Sequence, residues 1–155
     1  MAAPAATVVK HKKAPKKLHV RLGLALDFLP LNLDLRLSDH WALNTSFMLV
    51  VVGSGHDKGF YGGIMGGLDY YFKGRALDGL RLGARVGVVG VGAWGQWHDV
   101  FRFVIARAVI GYNWTFDDIF SVGLEGGLQY MRVGDHEDHI NLVIPHAQLS
   151  FGFVF

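Results

Sequence analysis

The sequence contains no cysteine. Disulfides and thiolate-held metal centres are therefore excluded. No apolar run reaches the ~18 residues that a membrane-crossing helix needs. Lysine is nearly missing from the body of the chain. Five of the seven lysines (Lys10, Lys12, Lys13, Lys16 and Lys17) fall in the first 17 residues. Without them, 10 basic residues face 13 acidic ones, so the basic surface that nucleic acid requires is lacking. Proline occurs four times, and only Pro30 and Pro145 lie beyond the basic segment. No segment carries the 3.6-residue apolar spacing of an amphipathic helix.

What is present is an unusual pairing. Hydrophobic residues make up 51% of the 155, and 21 residues are glycine. Glycine adds little to a packed core and weakens helices and strands alike. The segment "KHKKAPKK" reads as a solvated basic arm over residues 1–17, expected to be disordered. Residues 18–155 read as one domain.

Period-two alternation runs through that domain. In "LHVRLGLALD", Leu18, Val20, Leu22, Leu24 and Leu26 share one face, opposite His19, Arg21, Gly23, Ala25 and Asp27. "LNLDLRLS" sets Leu31, Leu33, Leu35 and Leu37 against Asn32, Asp34, Arg36 and Ser38. The pattern recurs in "FYGGIMGGLDYYFK", "LRLGARVGVV" and "FSVGLEGGLQYMR", and more weakly in "WALNTSFMLVVV". In "FRFVIARAVIGYNWTF", Arg102 and Arg107 are an odd number of residues apart, which calls for a bulge or a rim position. "INLVIPHAQLSFGFVF" changes phase at Pro145, where a second bulge is expected. Eight strands with short connections predict an all-β, antiparallel, up-and-down barrel.

Alternation does not say which face is enclosed. A water-soluble barrel turns its apolar face inward; a transmembrane barrel inverts this. Within the strands the cations are nearly all arginine, the residue suited to enclosed, bidentate pairing with carboxylates. Arg21, Arg36, Arg81 and Arg85 share their face with Asp27, Asp34, Asp69 and Glu125. These eight predict a charge network in the lumen, with small residues around it leaving room. The other face is Leu, Val, Ile and aromatic. Aromatics also gather at the strand ends. Trp41, Tyr70, Phe72, Tyr112, Trp114, Phe116, Phe120 and Phe155 fall at one end; Phe28, Phe60, Trp94, Trp97, Phe101 and Tyr130 fall at the other. Two such girdles match the two interfaces of a bilayer.

Four stretches, "LDLRLSDHWAL", "DYYFKGRALDGLRLGARVG", "GYNWTFDDIFSVGLEGGLQY" and the terminal "SFGFVF", resemble the small bacterial outer-membrane barrels of the OmpA/OmpX/OmpW-like superfamily. The resemblance spans residues 18–155. It implies an outer-membrane protein in contact with the lipid bilayer and lipopolysaccharide, monomeric, with both termini periplasmic. Turns near Ser38–His40, Arg75–Gly79 and Asp117–Asp118 would then be periplasmic. Connections near Phe28–Pro30, Gly53–Gly59, Trp97–Val100 and Gly134–His139 would be extracellular. It also implies that Phe153 and Phe155 belong to a C-terminal signal read by the barrel-assembly machinery.

Chemistry-bearing residues are few. "GHDKG", "WHDV" and "GDHEDH" place His56, His98, His136 and His139 beside carboxylates on loops that converge at one rim. Imidazole and carboxylate together suit a divalent ion such as zinc. The plainer alternative is that they are ordinary polar loop residues. His146 and Ser150 share a strand face with Glu125, but four residues along a strand separate them by roughly 13 Å. That is too far for a serine–histidine hydrogen bond. "GGIMGG" and "GVVGVGAWG" lack the Lys–Ser/Thr and helix of a phosphate loop. No catalytic residue and no cofactor are expected. The reading is a non-enzymatic barrel with a structural, envelope or surface-contact role. The alternatives are a small channel or hydrophobic-ligand transporter of the OmpW type and, behind that, a lipid A-modifying barrel enzyme.

Overall fold

The computed structural model describes residues 16–25, 29–52, 59–73, 76–93, 101–134 and 139–155. Of residues 49–52, 60, 61, 91–93, 101, 102, 133, 134 and 139 it describes the backbone alone. The alternating stretches form β1 (Leu18–Ala25), β2 (Pro30–Arg36), β3 (Trp41–Val52), β4 (Gly59–Tyr71), β5 (Gly79–Ala93), β6 (Phe101–Phe116), β7 (Phe120–Gly134) and β8 (His139–Val154). Each pairs antiparallel with its sequence neighbour, and β1 pairs with β8 to close the barrel. Among the described residues there is no helix.

Closure is sheared. A rung followed from Met131 through Ile105, Gly87, Met65, Ser46, Asn32, Arg21 and Gly152 returns to β7 at Ser121, ten residues from its start. Strands in such barrels tilt by roughly 35–45° to the axis, and eight of them leave an interior that side chains fill.

The bulge expected at Pro145 does not exist, and of the bulge or rim position expected for Arg102 the rim position is the one found. The β7–β8 ladder passes from Gly127↔His146 through Leu128↔Pro145 to Gln129↔Ile144 without an extra residue. The β5–β6 and β6–β7 ladders are equally unbroken. Arg107 points inward, and Arg102 lies at the rim as the second residue of β6. The broken alternation has another cause. At the end away from the termini, the interior is apolar. Met48, Met65, Val89 and Ile105 form a buried cluster there, with Ala25, Phe103 and Met131 packed against it. Strands passing that region are apolar on both faces, so their periodicity fades in the sequence.

The exterior is an apolar wall. Leu22 is 57% exposed, Leu82 52% and Leu124 52%, whereas Arg21 and Arg81 are each 1% exposed. At the terminal end an aromatic belt forms on the outside. Ring centroids lie 5.1 Å apart for Trp41 and Tyr70, 5.3 Å for Tyr70 and Phe72, and 4.7 Å for Tyr112 and Trp114. Of the second aromatic group, the side chain of Tyr130 is described. It is exposed, and its hydroxyl donates to Asn141 Oδ1 at 2.7 Å. Phe28, Trp94 and Trp97, and the side chains of Phe60 and Phe101, lie outside the described set.

The same terminal end is plugged from within. Ala76 and Leu77, in the β4–β5 turn, pack against Ala42, Tyr71 and Val154. Ala76 N donates to Asp39 O (2.8 Å), and Thr115 N donates to Asp78 Oδ1 (3.2 Å). Lys16 and Lys17, grouped with the arm by their charge, are tied to the barrel. Lys17 N donates to Phe155 O (2.9 Å) and Lys16 Nζ to Val154 O (2.9 Å).

Candidate functional site: the enclosed charge network

The β4–β5 register sets Asp69 directly opposite Gly83, with Arg81 and Arg85 two residues to either side. A Cβ at Gly83 would stand 2.1 Å from Asp69 Oδ1, so the absent side chain gives the carboxylate its seat over β5. On the other flank, Gly111 of β6 lies opposite both Arg81 and Glu125. The glycines on the polar face thus make room for ions between strands.

Two cations and two anions fill that room. Arg81 Nη1 donates to Asp69 Oδ2 at 2.5 Å, and Arg81 Nη2 pairs with Glu125 Oε2. Arg85 Nη1 donates to Glu125 Oε1 (2.9 Å), and its Nη2 reaches Glu125 Oε2 (3.1 Å) and Asp69 Oδ2 (3.3 Å). His146 Nε2 lies 3.2 Å from Glu125 Oε1. All four charged side chains are buried. Formal charge balances within the quartet, which is the condition for keeping ions out of water at tolerable cost.

A second set lies on β1 and β2. Arg21 Nε and Nη2 each lie 2.7 Å from Asp34 Oδ2, and Asn44 Nδ2 donates to Asp34 Oδ1 at 2.5 Å. His19 Nδ1 stands 3.5 Å from Asp34 Oδ2, and His19 Nε2 is 2.5 Å from Ser121 Oγ. A third layer is Arg107, whose Nε donates to Gln129 Oε1 at 3.0 Å. Asn113 Nδ2 donates to the Tyr71 hydroxyl at 3.1 Å.

Of the eight residues expected in the lumen network, six are enclosed and meet partners: Arg21 with Asp34, and Arg81 and Arg85 with Asp69 and Glu125. Arg36 does not join them. It ends β2 at the rim, where its guanidinium turns to Asp39 and to Ser38 O (3.2 Å) instead of entering the lumen. Asp27 lies outside the described residues, as do His56, His98 and His136; of His139 the backbone alone is described. Among the described residues no group of three His, Asp or Glu side chains is arranged to hold a metal ion. Phe153 faces outward against Phe120, and Phe155 closes the β1–β8 seam, its N donating to Leu18 O at 2.8 Å. His146 and Ser150 have separate partners, Glu125 for the imidazole and Gly123 O for the hydroxyl.

The sequence pattern does not single out His19, Asn44, Arg107, Asn113, Ser121 and Gln129 as network members. All six occupy the inward phase of their strands. Extending the parity of the recognised arginines along each strand, and through Arg107 without a bulge, is the signal that finds them.

No protein-family model and no curated protein sequence matches the chain. Two solved structures share its architecture. The Yersinia pestis outer membrane protein Ail, in a phospholipid bilayer nanodisc, superposes with a TM-score of 0.57 at 13% identity, over 90% of this chain and 99% of that one. The N-terminal β-barrel domain of Pseudomonas aeruginosa OprF gives 0.52 at 16% identity, over 90% and 96%. The chain has the fold of these outer-membrane barrels. At such identities the likeness concerns the fold.

Proposed function

We propose that this chain is an outer-membrane β-barrel protein without enzymatic activity, serving envelope integrity or surface contact. The observation that carries this reading is the inversion of polarity: ions and amides inside, leucine and aromatic side chains outside. In water such an exterior would be an apolar patch far beyond what a soluble monomer tolerates. Against hydrocarbon it is the stable arrangement, because every strand's hydrogen bonds are satisfied by its neighbours. The fold shared with Ail and OprF supports the same assignment.

A structural role is favoured over conduction by the way the lumen is filled. The Arg81–Arg85–Asp69–Glu125 quartet lies across the interior, and Leu77 packs into its terminal end. Opening a path would separate charges that are paired out of water. In the proposed orientation the termini and the turns 37–40, 72–78 and 117–119 are periplasmic. The barrel contacts lipid and lipopolysaccharide as a monomer, and Phe153 and Phe155 serve the assembly machinery.

Cell fractionation tests localisation: the protein should sediment with outer membranes and run faster on gels unheated than boiled. Planar-bilayer recording of the refolded protein tests the role. Absence of stable unitary currents is expected; reproducible channels would replace the structural reading with the transport one.

A further inference from the structure

Among the described side chains of the strands, Arg132 alone brings a charge to the outward face. The strand carboxylates Asp34, Asp69 and Glu125 are all enclosed, so none of them shares that face. The ladders set Arg132 between Val104 of β6 and Asn141 of β8. The Tyr130 hydroxyl donates to Asn141 Oδ1 at 2.7 Å, which leaves the Asn141 amide nitrogen to donate elsewhere.

Height along the barrel gives this group its surroundings. Val122, ten residues nearer the termini on β7, is flanked by Trp114 and Phe151 of the terminal end. Ten residues span roughly 33 Å of strand, or about 25 Å along the axis at the usual tilt. The apolar band of membrane barrels is about 25 Å tall. Arg132 therefore stands at the opposite interface, level with lipid headgroups. The wall below it suits an acyl chain. The rungs descend toward the termini from β7 to β5, so a line down the axis from Arg132 crosses β6 at Ala106. It then passes between Ala108 and Ala84, which face each other across the β5–β6 ladder. Their short side chains leave a shallow lane in a surface built mostly of leucine, valine and isoleucine.

We propose that Arg132 and Asn141 seat the phosphate of one acylated lipid in the leaflet away from the termini, with an acyl chain laid over Ala106, Ala108 and Ala84. The inference rests on the outer-membrane reading. Guanidinium and amide together supply charge-assisted donors to phosphate oxygen. Tyr130 holds the amide beside the guanidinium. A zwitterionic headgroup carries its own cation and gains less from Arg132.

The test is native mass spectrometry of the full refolded chain released from a nonionic detergent. It is titrated with bis-phosphorylated lipid A, with lipid A stripped of phosphate, with phosphatidylcholine and with inorganic phosphate. One bis-phosphorylated lipid A should stay bound per barrel, about tenfold tighter than the stripped lipid, the difference one charge-assisted contact makes. Arg132→Gln should lose that preference and keep the fast unheated gel mobility. Ala106→Leu, which fills the lane from outside, should weaken lipid A binding; unchanged binding would strike the acyl lane. Equal affinity for stripped and phosphorylated lipid A, or for phosphatidylcholine, would overturn the site. It would leave Arg132 to Asp135, Glu137 and Asp138, the carboxylates that follow it in the sequence. So would an Arg132→Gln chain that selects as the native one does. Inorganic phosphate that displaces the lipid at equal concentration would reduce the site to one for a free anion. The native comparison of the two lipids decides even if the variants fail to fold. A chain that fractionates with outer membranes but shows no selectivity fails this inference alone; one absent from outer membranes fails the reading beneath it.

Discussion

Gly66 and Gly67 are adjacent in β4, and the barrel wall separates their surroundings. A Cβ at Gly66 would meet nothing within 4 Å, whereas one at Gly67 would stand 2.1 Å from Ala84 O and 2.7 Å from Arg85 Cα. Gly66→Ala should leave the urea-unfolding midpoint nearly unchanged. Gly67→Ala should destabilise by about 1–3 kcal/mol, the usual cost of overpacking. The same contrast holds for charge. Glu125→Gln leaves Arg81 and Arg85 facing a single carboxylate in an enclosed layer, and should cost about 3–5 kcal/mol. Arg36→Ala breaks a pair open to solvent at the rim and should cost no more than about 1 kcal/mol. Equal losses at the two positions would mean that the quartet is not enclosed. The network's arginines and carboxylates are legible as residue types, because arginine in place of lysine along one strand face suits enclosed pairing with carboxylates. Their pairing is not: that Gly83 sits opposite Asp69 depends on register, which alternation leaves free by steps of two.

At the scale of elements, strand number and phase are readable because one residue in two is apolar over most of each strand. The reading falters where both faces are apolar. In β6 and β8 the inward Phe103, Ile105 and Ile144 match the outward wall in character, so the sequence suggests a bulge where the ladder is continuous. The β6–β7 turn is legible from its two aspartates. Asp117 and Asp118 take φ of 50° and 58°, the left-handed region that aspartate tolerates better than β-branched residues. Asp117→Gly should therefore be neutral in the same unfolding assay, and Asp117→Val should lose about 1–2 kcal/mol. A neutral valine would mean that the turn adopts another backbone conformation.

The whole molecule rests on one assignment, that the leucine wall meets hydrocarbon while the ionic side chains are sealed within. Sheet closure, aromatic belt, balanced quartet and terminal plug all agree with it, and the accessibility of the wall to solvent measures it. Nitroxide labels at Leu22, Leu82 and Leu124, in the barrel reconstituted into liposomes, do so directly through their collision rates with oxygen and with a water-soluble nickel chelate. High oxygen and low nickel accessibility at all three sites is the expected result. Labels that collide freely with the nickel chelate would contradict the account, since the apolar wall would then be facing water.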